Sequence, residues 1–176
     1  TQPDQRTIDE VLNLFKSGKL NKAKTKIENY IKKFPKSFVL FNILGAVCAG
    51  QDELEVAINH HKKSVEINPD YAEGYNNLGI AFQKLGLFEE AVKNYKKTLK
   101  LKPDFSLAYN NLGVVLKSLN KLDEALLTSK KAIELDPKFA DAHNNIGAIL
   151  QDLGNYEEAY KFYKKAIKLK SNYSEA

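Results

Sequence analysis

The chain has 176 residues, with 27 Lys plus Arg against 22 Asp plus Glu, one Cys, no Met and no Trp, and 43% of it is apolar. That composition supports a buried core and excludes a disordered tail. No apolar run reaches the ~18–20 residues of a spanning helix, the first residues do not read as a signal peptide, and one cysteine excludes an internal disulfide or a multi-cysteine metal site.

Four of the five prolines, Pro35, Pro69, Pro103 and Pro137, fall 34 residues apart. They divide the chain into 4–37, 38–71, 72–105, 106–139 and 140–173. In 4–37, Ile8, Val11, Leu12 and Phe15 make one apolar helical face. Phe15 stands three residues before Gly18, whereas Phe82 stands four before Gly86, so this first helix is one residue short and its repeat divergent. In 38–71, Phe41, Leu44, Gly45 and Ala57 keep the columns, while Cys48 and His61 occupy the positions of Phe82 and Tyr95. In 72–105, Tyr75, Leu78, Gly79 and Phe82 recur at i, i+3, i+4 and i+7, which predicts a helix. Gly86 ends it. Phe88, Ala91, Val92, Tyr95 and Leu99 predict a second, with Glu89 and Glu90 at its start and Lys96, Lys97 and Lys100 towards its end, matching the helix dipole. Pro103 stops it. Tyr109, Leu112, Gly113 and Ala125 repeat the pattern in 106–139, and His143, Ile146, Gly147 and Ala159 in 140–173. Residues 172–176 parallel 70–74 and predict the start of a further first helix. With the absent Met, this leads us to expect that the chain is the N-terminal part of a larger, processed or excised protein.

The small columns allow two antiparallel helices to approach to ~8 Å, as Gly79 opposite Ala91 would. A 34-residue helix–turn–helix unit with Tyr75, Leu78, Gly79, Phe82, Gly86, Ala91, Tyr95 and Pro103 in this order resembles the tetratricopeptide repeat. The resemblance covers nearly the whole chain. It implies an all-α fold: a right-handed superhelical solenoid of five helix–turn–helix repeats, one module over 1–176, with the first helix of each pair lining a concave groove.

The net charge of +5 is concentrated in 4–37, where nine cations meet four carboxylates, whereas 38–71 carries −3. Most of these lysines (Lys16, Lys19, Lys22, Lys24, Lys26, Lys32, Lys33, Lys36) lie on or beside the second helix, which faces away from the groove in such solenoids. Arg6 is the sole arginine. Lysines without arginines solubilise a surface more readily than they read bases or grip phosphates, so no nucleic-acid partner is expected. No enzyme motif survives: glycines punctuate helices, and Cys48 with His61 would form a thiol–imidazole pair only in core columns. His60 and His143 lack partners at metal spacing. We expect no cofactor, no metal, no membrane partner and no catalysis, in a cytoplasmic protein.

One polar feature stands apart. Asn76-Asn77, Asn110-Asn111 and Asn144-Asn145 recur on the first helices; Asn42 joins the first column, and Ile43 breaks the second. Asparagine is a mediocre helix former. Asn77 lies ~100° round the helix from the buried Leu78, towards the groove and the neighbouring first helix. Two readings stand. The amides could pair with a peptide's C=O and N–H, one every ~10 Å of packed helices, or about every third residue of an extended segment. Or they stitch one first helix to the next. The first is similar to the asparagine ladder in the repeat region of O-linked N-acetylglucosamine transferase-like proteins, and that resemblance implies peptide contacts at Asn77, Asn111 and Asn145. Ile80, Val114 and Ala148, then Gln83, Lys117 and Gln151, then Lys84, Ser118 and Asp152 complete the groove columns. A carboxylate clamp is not expected, since Asn42, Asn76, Glu73 and Leu107 stand near where its cations would be.

The expected function is therefore a binding module for an extended peptide or protein segment. The alternative is a stand-alone scaffold, self-associating through its ends, where Tyr160 and Tyr163 would offer apolar surface.

Overall fold

The computed structural model describes residues 2–174, and side chains through Lys170. Among the described residues there are ten α-helices and no strand: α1 (Gln5–Lys16), α2 (Leu20–Lys33), α3 (Phe38–Gly50), α4 (Leu54–Ile67), α5 (Ala72–Lys84), α6 (Phe88–Leu101), α7 (Ser106–Ser118), α8 (Leu122–Leu135), α9 (Ala140–Asp152) and α10 (Tyr156–Ser174). Odd-numbered helices are the first helices of the repeats. As the early Gly18 predicts, α1 has 12 residues where the other first helices have 13.

Two kinds of turn impose the period. Between first and second helix, one residue is left-handed: Gly18 (φ 70°), Asp52 (63°), Gly86 (73°), Asn120 (57°) and Gly154 (79°). The next residue then donates its N–H to the carbonyl five back, as in Lys19 to Leu14, Glu53 to Cys48, Leu87 to Phe82, Lys121 to Leu116 and Asn155 to Leu150. This closes orphan carbonyls at the helix end. Gly18, Gly86 and Gly154 meet this geometry without steric cost; Asp52 and Asn120 are of the two other types that tolerate it. Between repeats, proline cannot donate to the preceding turn, and Asn68, Lys102 and Asp136 close the last bonds just before it.

The chain forms two compact units, one through Leu87 and one from Phe88. In the first, α1 packs on α2 and α3, and α3 packs on α4 and α5. Val11, Ala23, Ile27, Leu40, Leu44 and Val47 are its buried centre. In the second, α7 packs on α8 and α9, and α9 on α10, around Ile146, Leu150 and Ala159.

The glycine column has a sharper purpose than its sequence suggests. A Cβ on Gly113 would lie 3.4 Å from the Ala125 carbonyl oxygen, as a small-against-small crossing requires. The tighter contact is with the residue four beyond the alanine. A Cβ on Gly45 would lie 2.7–2.8 Å from the His61 ring, and one on Gly147 2.8 Å from the Tyr163 ring. The glycine is a seat for a ring on the second helix.

Helix α10 runs for 19 residues, against 14 for the other second helices. Ser171 stands where Pro69, Pro103 and Pro137 break the chain. The segment expected to open a further first helix at Asn172 is instead continuous with α10; Glu175 and Ala176 lie outside the described residues.

Candidate functional site

Asn42 is 7% exposed on α3, and its amide bonds three partners inside the first unit. Asn77 Nδ2 on α5 donates to Asn42 Oδ1 at 3.1 Å. His61 Nδ1 lies 2.9 Å from the same oxygen. Asn42 Nδ2 donates to Tyr71 Oη at 3.2 Å. An oxygen that accepts twice and a nitrogen that donates fix the amide's orientation, and they require His61 to carry its proton on Nδ1. Burial, with His60 adding repulsion, pushes the His61 pKa down to about 4, so the ring is neutral at pH 7. Tyr71 is held in turn by the edge of Phe38, with ring centroids 4.8 Å apart.

The second unit repeats the core of this arrangement. Asn145 Nδ2 on α9 donates to Asn110 Oδ1 on α7 at 2.8 Å. Asn110 is buried and Asn145 half-buried. These two bonds show that the asparagine columns do stitch neighbouring first helices, residue i to residue i+35. Each stitch uses one N–H of the second asparagine. The Oδ1 atoms of Asn77 and Asn145 have no partner among the described residues. The stitch therefore orients an amide without exhausting it.

The other expected positions divide. Asn76 is buried at 2% exposure, Asn111 and Gln83 are half-buried, and Asn144 is exposed. Lys117 Nζ pairs with Asp152 at 2.8 Å. Gln151 Oε1 accepts from the Tyr163 hydroxyl at 3.0 Å. At the start of the first unit, Ile8 and Ile43 hold the two asparagine columns, both in one apolar cluster with Leu12 and Phe15. A hydrophobic pair thus replaces the amide stitch there.

Beside Asn77 lies a cleft of about 230 Å³ between α1, α3 and α5, floored by His61 of α4. Phe15, Ala46, Ala49, Gly50, Ile80 and Ala81 form its walls, and Lys84 its rim. Sequence reasoning placed Ile80 and Lys84 in groove columns but missed the cleft and the part played by Tyr71 and His61. The hydroxyl of Tyr71, in a column that holds Phe105, Phe139 and Tyr173, was the available signal.

Cys48 is not paired with His61. It is buried, and burial raises its thiol pKa, with Lys24 and Glu53 as its charged neighbours. A protonated, buried thiol is a poor nucleophile. Among the described residues no group of three or more His, Cys, Asp or Glu could hold a metal ion, and no helix is long and apolar enough to cross a membrane. Lys24 and Lys26 of the basic first repeat are paired with Glu53 and Glu10.

A tetratricopeptide-repeat family model matches 72–105 and 140–173, the same bounds as two of the periods, and related models match 45–86, 115–154 and 94–126. The chain belongs to the tetratricopeptide-repeat proteins. Solved structures agree. The crystal structure of MamA is 25% identical over 93% of this chain and 96% of its own, with a TM-score of 0.81. PilF of Pseudomonas aeruginosa is 21% identical over 93% and 74%, with a TM-score of 0.86. YrrB, described as a TPR protein with an unusual peptide-binding site, is 22% identical over 95% and 86%, with a TM-score of 0.72. No curated protein matches the sequence. The fold class is the all-α helical-repeat superhelix, and the function class is that of a protein–protein interaction scaffold, a class typically without catalytic activity.

Proposed function

We propose that the repeats bind an extended peptide by its backbone along the first helices, through the amides of Asn77 in the first unit and of Asn111 and Asn145 in the second. The observation that carries this reading is the open Oδ1 on two stitched asparagines, Asn77 and Asn145. A stitched amide is pre-oriented, so little conformational freedom is lost when a peptide N–H reaches its oxygen. Asn42, Asn76, Asn110 and Asn144 belong to the supporting column, and Asn42 and Asn110 accept the stitch. Gln83, Lys117 and Gln151 flank the peptide and tune which side chains it carries.

An array of side-chain-varied peptides, followed by calorimetry on those that bind, tests this. The Asn77→Ala, Asn111→Ala, Asn145→Ala protein should lose binding by more than tenfold, while unfolding stability falls by about 1 kcal/mol per stitch removed. Loss of stability with binding unchanged would refute the groove reading and leave the asparagines as stitches alone.

A further inference from the structure

We propose that the cleft between α1, α3 and α5 is a specificity pocket that takes one bulky apolar side chain of the bound peptide, with an adjacent carboxylate paired to Lys84. The proposal deepens the groove reading and rests on it.

The walls explain the side chain. Ala46 and Ala49 leave space along α3 that longer residues would fill, and Phe15 of α1 and Ile80 of α5 close it on either side. At about 230 Å³ the space suits a leucine or phenylalanine side chain and falls below the ~300–1,000 Å³ of small-molecule sites. Asn77 lines the same cleft with its Oδ1 open. A backbone N–H held there would lead its own side chain into the cleft.

Charge explains the neighbour. Among the described residues, Lys84 is the only charged side chain lining the cleft, since His61 is neutral at pH 7. Lys84 is exposed and has no ion-pair partner among the described residues. An exposed, unpaired lysine at the mouth of an apolar pocket complements a ligand that is apolar in its centre and anionic at its edge. An aspartate or glutamate beside the apolar residue supplies that charge.

The test is an NMR titration of the full chain with short acetylated peptides, Gly-Ser flanks enclosing Leu-Asp, Ala-Asp, Leu-Asn or Leu-Lys, and a fifth ending in Leu with a free carboxylate. Leu-Asp should move the Ala46, Ala49, Ile80 and Lys84 amides. Ala-Asp should bind about tenfold more weakly. Leu-Asn should bind a few-fold more weakly, by an amount that shrinks with salt. In Lys84→Glu, Leu-Lys should bind better than Leu-Asp. Leu-Asp should bind more tightly than the free-carboxylate peptide, and the reverse would overturn the side-chain carboxylate in favour of a chain end. If Ala-Asp equals Leu-Asp while Asn77 still responds, the pocket is refuted and the groove reading stands. If no peptide moves any groove residue of α3 or α5, the groove reading fails as well.

Discussion

The two units carry the same stitch in different surroundings. In the first, Asn42 ties Asn77, His61 and Tyr71 together and stands beside an apolar cleft with a free lysine at its rim. In the second, Asn110 accepts from Asn145. Ser129 stands in the His61 column, and the groove columns are occupied by the Lys117–Asp152 ion pair and by Gln151 bonded to Tyr163. One helical frame therefore gives an apolar face in one place and a polar one in another. The difference lies in a few columns: Ala49, Lys117 and Gln151 in one, Gly50 and Asp152 in the next.

The stitch itself should show the largest difference between the two units. Asn42→Ala strands the His61 and Tyr71 polar groups and the Asn77 N–H, so urea unfolding should show a loss of about 3 kcal/mol, against about 1 kcal/mol for Asn110→Ala. Equal losses would show that the wider network in the first unit adds nothing. Next comes pH. His61 has a folded pKa of about 4, below its ordinary 6.5. Between these values the unfolded chain binds the extra proton, so stability falls as pH drops from about 6.5 to about 4, by up to about 3 kcal/mol, and the contribution is complete above 6.5. The same pH series on His61→Gln should be flatter in that window. Ser129, in the matching column, has no such proton.

Ser129 predicts a gain. Its Oγ is buried without a partner, and a Cβ on Gly113 would crowd it at 2.0 Å. Ser129→Ala should raise the unfolding midpoint, by about 1 kcal/mol of stability. The smallest effects belong to the turns. Asp52→Gly and Asn120→Gly should each change stability by about +0.5 kcal/mol, because relief of left-handed strain is partly offset by the freer unfolded chain.

Most of the frame could be read without coordinates. Proline, glycine and alanine spacings located ten helices because each element is bounded by a turn that only certain residues make. The notable departure, the extension of α10 through Asn172, follows from the same rule: Ser171 leaves the helix unbroken where a proline would stop it. The site was legible only in part. Repeated asparagines announced a polar ladder, but a bond from Asn77 to Asn42 spans 35 residues, and its dependence on Tyr71 and His61 is set by how α4 returns against α3. The cleft was hidden for another reason. It is made by what Ala46 and Ala49 lack, and a missing side chain leaves little trace in an apolar pattern.

The central claim is that the asparagine stitch presents an amide to a bound peptide. Its most direct test follows the side-chain Nδ2 signals of Asn77 and Asn145 during titration with a peptide selected from the array. Both signals should shift in proportion to binding while Asn42 and Asn110 keep their hydrogen-bonded positions. Saturable binding with the Asn77 and Asn145 signals unmoved would contradict the central claim.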